Sequence, residues 1–145
     1  MRILGVDLGE KKIGLAVSDP LFLTSQPLSF YQPSGKKKNL VFFRDLVKEY
    51  DIEEIVVGFP LQMDGHEGIE AEKARNFAMW LEKSLNLPVF LWDERLTTKQ
   101  ALRILHQQDI KAKKKKVLKD QISASLILSS YLESRRTKKN DLKDR

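Results

Sequence analysis

The sequence contains no cysteine and only two histidines in 145 residues. The absence of cysteine excludes disulfide bonds and thiolate metal sites, and two histidines are too few for a typical zinc site. Any bound metal must therefore be held by carboxylates. No apolar run reaches the roughly 20 residues that a membrane-spanning helix needs, and the first residues lack the pattern of a signal peptide. We expect a cytoplasmic protein that does not associate with membranes.

The chain has the length of one domain, and a chain of this size buries roughly 70% of its unfolded surface, which is enough for a hydrophobic core. We expect one α/β domain over residues 1–136 and a basic, flexible tail over residues 137–145. Neither internal repeats nor a domain boundary are visible in the pattern.

Positive charge is concentrated in the last third of the chain. The net charge is +6, and residues 111–119 carry six lysines and no acid. Such clustering suits a polyanionic partner, most simply nucleic acid. The alternative is a solvated loop and a frayed tail, which we favour for the last ten residues alone.

The hydrophobic pattern predicts three antiparallel strands followed by alternating helices and buried strands. The first two strands form a hairpin within residues 2–19. The third strand covers residues 26–31, and the later strands cover 54–58 and 88–92. Predicted helices cover residues 36–50, 69–86, 97–108 (with Thr97 as the cap) and 117–134. Right-handed crossovers then give an α/β fold with a mixed five-stranded sheet and helices on both faces.

Three acids stand out by position. Asp7 ends the first strand, Glu94 follows the last strand, and Asp120 shares one helical stripe with Val117, Ala124 and other apolar residues. A carboxylate at the end of an apolar strand costs free energy unless it is paired or coordinated. For Asp7 alone, a tight turn is an equally good explanation.

If the first strand is central, these three acids could meet at one edge of the sheet. Carboxylates that close raise one another's pKa values unless cations lie between them. Mg²⁺ prefers oxygen ligands, and two such ions about 3.5 to 4 Å apart can promote in-line phosphodiester hydrolysis. We therefore expect two Mg²⁺ or Mn²⁺ ions as cofactors.

Five ordered blocks of residues together resemble one bacterial family. The blocks are Gly5-Val6-Asp7-Leu8-Gly9, Lys12-Ile13-Gly14-Leu15-Ala16-Val17-Ser18-Asp19, Gly58-Phe59-Pro60-Leu61 with Asp64-Gly65, Asp93-Glu94-Arg95-Leu96-Thr97-Thr98, and Asp120 with Ala124 and Ile127-Leu128. They cover about residues 2–132 and resemble the YqgF-type proteins, RNase H-like nucleases described as Holliday junction resolvases and as pre-16S rRNA nucleases. Two positions depart from the family pattern: His66 stands where the loop usually has Ser or Thr, and Ser123 stands where the last helix usually has Ala.

The resemblance implies an RNase H-like fold in which the first strand is central. It also implies that Asp7, Glu94 and Asp120 form the catalytic, metal-binding triad. The implied activity is metal-dependent hydrolysis of structured nucleic acid, with 5′-end processing of pre-16S rRNA as the leading role. Cleavage of four-way DNA is the nearest alternative, and a homodimer, which a junction resolvase needs to cut two strands, stays open.

Basic residues near the acids are candidates for phosphate contacts, which come mainly from Lys, Arg and hydroxyl groups. These candidates are Lys11, Lys12, Arg95, Lys113, Lys114, Lys115 and Lys116. Lys11 and Lys12 could equally be ordinary surface charges. Asp93 is either a support for the metal site or a helix-flanking acid, and Asp19 is interpreted as a turn former. Trp80 and Trp92 occupy positions typical of core packing.

Two other classes of function are compatible with parts of the pattern. An RNA-binding assembly factor with weak or no catalysis would share the same fold. A small-molecule phosphotransferase of the actin-like type would share the Asp-x-Gly turn after the first strand, but the chain is too short for a two-lobed nucleotide clamp.

Overall fold

A computed structural model of the chain describes residues 1–97 and 123–143. Its elements confirm the predicted order within those residues. They are β1 (Arg2–Leu8), β2 (Ile13–Ser18), β3 (Ser25–Pro27), α1 (Lys36–Tyr50), β4 (Ile52–Phe59), α2 (Ile69–Leu85), β5 (Val89–Asp93) and α3 (Ala124–Lys143).

The five strands form one mixed sheet in the order β3-β2-β1-β4-β5, so the first strand is central as predicted. β1 and β2 are antiparallel, with Asp7 opposite Gly14, and β2 continues antiparallel to β3. β4 is parallel to both β1 and β5. The carboxyl ends of three neighbouring strands therefore meet at one edge of the sheet.

Helices cover both faces of the sheet, and each face has its own apolar cluster. Alternate residues of β1, such as Leu4 and Val6, pack with α1 and α2 in the larger cluster. Ile3 points to the other face and packs with Leu128 and Leu132 of α3. Because successive side chains of a strand point to opposite faces, Gly5 and Asp7 share the α3 face with Ile3.

The direction of α3 follows from its contacts with β4. Near the start of the helix, the Ile127 Cδ1 atom lies beside Gly58, close to the carboxyl end of β4. One turn later, the Tyr131 hydroxyl donates a hydrogen bond to Glu54, near the amino end of that strand. The helix therefore runs antiparallel to β4, and its N-terminus lies at the carboxyl edge of the parallel strands.

Two predicted boundaries in the first part of the chain were wrong. The third strand ends at Pro27, and Tyr31 forms only an isolated bridge with Ile13. Residues 94–97 are already helical, so Thr97 cannot be the cap of that segment. The Asp93 Oδ1 atom instead accepts the backbone N–H of Arg95 at 3.0 Å, which is how an N-cap residue acts.

The start of the last helix also differs from the prediction. Ser123 is not helical, and its carbonyl oxygen accepts the N–H groups of Leu126 and Ile127, so the described helix begins at Ala124 rather than being continuous from residue 117. At the other end α3 continues to Lys143, beyond the predicted end at Ser134. It includes residues 137–143 of the predicted tail, while the division into domain and tail stays a prediction.

Within the described parts of the chain, no helix has both the length and the apolar character that a membrane span requires.

Candidate active site

Asp7 and Glu94 lie together at the carboxyl edge of the sheet. Both line a small cleft of about 120 Å³, whose wall also includes Gly58, Glu70 and Ala74. Asp7 is the next-to-last residue of β1, and Glu94 directly follows β5. The sequence prediction that these two strand-end acids converge is therefore confirmed for this pair.

Gly58 makes room for the Glu94 side chain. A Cβ atom added to Gly58 would lie 2.5 Å from the Glu94 Oε1 atom and 2.6 Å from the Ile127 Cδ1 atom. Real Cβ atoms do not approach other atoms so closely, so any larger residue would displace either the carboxylate or the helix. Because Gly58 has no side chain, Glu94 can reach across β4, the strand that separates it from Asp7.

The environment raises the pKa of both acids. Burial raises the pKa of Asp7 from 3.8 to about 6. Burial, followed by the negative charges of Asp7 and Asp93, raises the pKa of Glu94 from 4.5 to about 7. Because the charge of Asp7 contributes to the shift of Glu94, the two carboxyls interact electrostatically. A bound cation would lower both pKa values and remove this cost.

The amino end of α3 faces the same edge. A Cβ atom at Gly5, two residues before Asp7 on the same face of β1, would lie 3.1 Å from the Ala124 carbonyl oxygen and 2.9 Å from the Leu128 Cβ atom. The first turn of α3 therefore lies directly over β1. The positive end of the helix dipole therefore lies at this edge, where it favours negative groups.

The donor set fits a hard divalent cation. Oxygen atoms of carboxylates are the ligands that Mg²⁺ prefers, and the two acids stand at the mouth of a polar cleft. Among the residues that the structure describes, no group of three or more candidate ligands forms. Asp120, the predicted third ligand, lies outside the described residues, so its membership of the triad stays a prediction.

Glu70 is a cleft residue that the sequence reasoning missed. It lies in the first turn of α2, lines the cleft with Asp7 and Glu94, and forms an ion pair with Lys73 at 3.6 Å. In the sequence, Glu70 is only an acid in the first turn of a predicted helix, where the helix dipole favours negative charge. Its position directly after the loop that follows β4 was the signal that could have placed it near the site, since such loops commonly border ligands.

Arg95 has well-defined protein partners. Its Nε atom donates to both oxygens of Asp93 at 3.1 Å, and its Nη2 atom donates to Oδ2 at 2.8 Å. Its Nη1 atom lies 3.4 Å from the Met63 carbonyl oxygen in the loop after β4. Arg95 therefore links the end of β5 to that loop, and the predicted phosphate contact stays a prediction.

Asp64 forms a turn within the loop of residues 61–68. Its carboxylate accepts the backbone N–H of His66 at 3.0 Å, and the His66 Nδ1 atom lies 2.9 Å from the other oxygen. These hydrogen bonds lower the pKa of Asp64. His66, one of the two departures from the family pattern, thus stabilises the turn from an exposed position.

The remaining predicted positions divide into described and undescribed ones. Lys11 and Lys12 are exposed in the turn between β1 and β2, four and five residues after Asp7, and the Lys12 carbonyl oxygen accepts the N–H of Gly9 at 2.9 Å. The four consecutive lysines predicted to contact phosphates lie outside the described residues, namely Lys113, Lys114, Lys115 and Lys116.

Three structural interpretations are confirmed. The Asp19 carboxylate accepts the N–H groups of Leu21, Leu23 and Thr24, so it forms a turn. Trp80 packs against Phe77, and the Trp92 Nε1 atom donates to Ser130 at 3.1 Å, so both tryptophans serve packing.

The family comparisons agree on one assignment. Residues 1–134 match the family described as "RuvX: Holliday junction resolvase". A protein of Syntrophus aciditrophicus named "Putative pre-16S rRNA nuclease" is 46% identical over 134 residues, which cover 92% of this chain and 89% of the relative. A relative of the same name from Koribacter versatilis is also 46% identical, over 92% of this chain and 88% of its own length. These matches confirm the resemblance that the five sequence blocks indicated.

Solved structures confirm the fold. RuvC of Thermus thermophilus aligns with a TM-score of 0.55 at 16% identity, over 94% of this chain and 97% of its own. The same protein in complex with a Holliday junction substrate aligns with a TM-score of 0.51 at 17% identity, over 94% of this chain and 96% of its own. Identities this low show the fold alone, and the fold is RNase H-like, as predicted.

Proposed function

Since the chain belongs to the RuvX family of Holliday junction resolvases, we propose that it is a divalent-metal-dependent nuclease that acts on structured nucleic acid. The convergence of Asp7 and Glu94 in one cleft carries this proposal. Burial raises the pKa of both carboxyls, and neighbouring negative charge raises that of Glu94 further. A bound cation would lower both pKa values and stabilise the ionised acids.

Asp7, Glu94 and Asp120 would hold two metal ions, either Mg²⁺ or Mn²⁺. When bound, such ions activate the attacking water and stabilise the leaving oxygen of the phosphodiester. The contribution of Asp120 rests on its place four residues before Ala124, because α3 begins over β1 at this edge of the sheet. The hydrogen bonds from Arg95 to Asp93 hold the segment that carries Glu94.

The proposed substrate is precursor 16S rRNA, which the names of the relatives support. The second candidate is four-way DNA, which the description of the family supports. The second candidate requires a dimer, because two strands must be cut, so homodimerisation belongs to that proposal. A cytoplasmic location, expected from the sequence, also belongs to the proposal.

The decisive experiment offers a ribosomal RNA precursor and a four-way DNA junction side by side, with Mg²⁺, Mn²⁺ or EDTA. Asp7→Asn, Glu94→Gln and Asp120→Asn should each abolish cleavage while the thermal unfolding transition is retained. Asp45→Asn is the matched control, because Asp45 is an exposed carboxylate on α1. Undiminished cleavage by Asp7→Asn would overturn the assignment. Salt-sensitive binding without cleavage of any substrate would favour the RNA-binding assembly factor.

The basic residues are proposed to contact the phosphate backbone. Replacing Lys113, Lys114, Lys115 and Lys116 by glutamine should weaken binding similarly for all sequences. It should flatten the dependence of log K on log salt by about 0.7 to 0.9 for each phosphate that the chain no longer neutralises. An unchanged slope would show that these lysines form a solvated loop.

A further inference from the structure

An aromatic ring stands open to solvent beside Asp7. Phe30 lies in the irregular segment after β3 and is 70% exposed. A single exposed apolar side chain needs no functional explanation by itself. The position of this ring relative to the cleft and to a lysine distinguishes it from the other exposed apolar residues.

Gly14 lies between the Phe30 ring and Asp7 and leaves the space between them open. It is paired with Asp7 across the β1–β2 hairpin. A Cβ atom at Gly14 would lie 3.5 Å from the Asp7 Cβ atom and 3.6 Å from the Phe30 Cε1 atom. Phe30 and Asp7 therefore flank the same open position on the same face of the sheet, and a larger residue at that position would fill the gap between them.

The backbone next to Phe30 is anchored. Tyr31 and Ile13 exchange two backbone hydrogen bonds, of 2.7 and 2.9 Å. The Tyr31 ring points to the opposite face, where it stacks on Phe42 with a centroid distance of 3.8 Å. Because neighbouring side chains of an extended segment alternate, burial of Tyr31 holds Phe30 on the face that carries Asp7.

A lysine of the hairpin turn shares this surface. The Lys12 Nζ atom lies 5.6 Å from the centroid of the Phe30 ring, within the range of a cation–π contact. Ring and ammonium group together offer both features that unpaired nucleotides bind, a flat π-surface for the base and a positive charge for the phosphate.

We propose that Phe30 and Lys12 form a binding site for an unpaired nucleotide next to the Asp7–Glu94 cleft. The base stacks on Phe30, and the ammonium group of Lys12 contacts the adjoining phosphate. This inference rests on the proposed function, since it supplies the strand that the acids would cleave. Because every base has a π-face, the site accepts RNA and DNA and carries little sequence preference.

Binding of labelled single strands by fluorescence anisotropy tests the proposal. EDTA prevents cleavage, so binding is measured independently of catalysis. RNA and DNA strands of the same sequence are compared with a strand of equal length in which every nucleotide lacks its base. Phe30→Ala should weaken binding of both complete strands about 5- to 100-fold, which is the range for removal of one base stack. It should leave the base-free strand unaffected.

Matched variants separate stacking from charge and from folding. Phe30→Trp should retain the affinity of the wild-type chain, because its ring also stacks. Phe90→Ala removes another exposed ring, which lies on β5 at the opposite edge of the sheet and packs against Tyr131, and it should leave both affinities unchanged. Lys12→Ala should weaken binding of all strands and lower the log–log salt slope by about 0.7. Thermal unfolding checks that each variant is folded.

The proposal is overturned if Phe30→Ala binds like the wild-type chain, or if it loses equal affinity for complete and base-free strands. Cleavage by the wild-type chain together with an unaffected Phe30→Ala variant would remove the nucleotide site but keep the nuclease assignment. A base-dependent loss in a chain that never cleaves would keep the nucleotide site and remove the nuclease assignment.

Discussion

The interface between the sheet and α3 carries acidic residues at both ends, and the surroundings of these acids differ between the ends. At the amino end of β4, Glu54 accepts a hydrogen bond from the Tyr131 hydroxyl and lies 3.8 Å from the Arg135 guanidinium. At the carboxyl end, Asp7 and Glu94 lie in one cleft, and the charge of Asp7 raises the pKa of Glu94. Glu54 thus lies beside a donor and a cation of the chain itself. At the carboxyl end, burial raises the pKa of both acids and the charge of Asp7 raises that of Glu94 further, so a bound cation would be favoured there.

This contrast separates an acid that stabilises the fold from acids that serve function. The raised pKa values of Asp7 and Glu94 mean that ionising these acids costs free energy in the folded chain. Strongly perturbed pKa values in a cleft are typical of functional sites. The carboxyl end of the interface should therefore respond to metal and pH.

Gly58→Ala should have the largest effect, because it crowds the position of Glu94 directly. The new Cβ atom would meet the Glu94 Oε1 atom at 2.5 Å and the Ile127 Cδ1 atom at 2.6 Å, so the carboxylate or the adjoining turn of α3 must move, and thermal unfolding checks that the variant is folded. A displacement of about 1 Å in a catalytic group can reduce the rate about 100-fold, and we expect a loss of that size. Cleavage rates under saturating metal measure it.

Gly68→Ala is the control for Gly58→Ala. There the new Cβ atom meets only the end of the Gln62 side chain, at 3.3 Å, and that side chain can move. Equal cleavage by Gly58→Ala and the wild-type chain would mean that the position of Glu94 does not limit the reaction.

The sequence allowed the strand-end acids to be predicted, since apolar strands and their boundaries are visible in the pattern. It did not reveal the role of Gly58, because the close approach of Glu94 arises only when β4 and β5 are paired in register. The capping error has a similar origin. Thr97 and Gln100 match the capping-box pattern, but the helical residues begin directly after Asp93, whose carboxylate already caps them.

The start of α3 shows a limit of periodicity. Apolar spacing continues from Val117 through Ala124, so it favours one long helix. The structure instead begins the described helix after Ser123, a residue type that favours the N-cap position. The stripe beyond that point was predicted correctly, since Ala124, Ile127 and Leu128 are buried against the sheet.

Removing both charges at the functional end should stabilise the protein. Folding raises the pKa values of Asp7 and Glu94 to about 6 and about 7, so the folded chain holds these protons more tightly than the unfolded chain. The free energy of unfolding should therefore fall as the pH rises from about 4 to about 7, and then level off. At about 1.4 kcal/mol for each unit of pKa shift, the gain in stability of the double variant Asp7→Asn/Glu94→Gln at pH 8 without metal is at most about 6 kcal/mol. Solvent screening of these partly exposed groups should reduce it to about 2 kcal/mol.

Denaturant unfolding at pH 5 and pH 8, with EDTA or with Mg²⁺, measures this effect. Mg²⁺ should stabilise the wild-type chain at pH 8 and should not stabilise the double variant, because a ligand stabilises only the state that binds it. Asp45→Asn again serves as control. A double variant that is less stable than the wild-type chain at pH 8 would contradict the inference that the ionised acids destabilise the folded chain.

Tyr131→Phe should have the smallest effect, and at the opposite end. The substitution keeps the ring that packs against Trp92 and Phe90 and removes only the hydroxyl that donates to Glu54. Loss of a hydrogen bond to a partly buried carboxylate should lower the free energy of unfolding by about 1 kcal/mol. Arg135 remains beside Glu54 and limits the loss.

Cleavage at a temperature where the variant is fully folded should equal that of the wild-type chain. A double-mutant cycle with Glu54→Gln measures the coupling directly. A Tyr131→Phe variant that is stable but slow in cleavage would show that the two ends of the interface are linked through α3, and the division between a structural and a functional end would then fail.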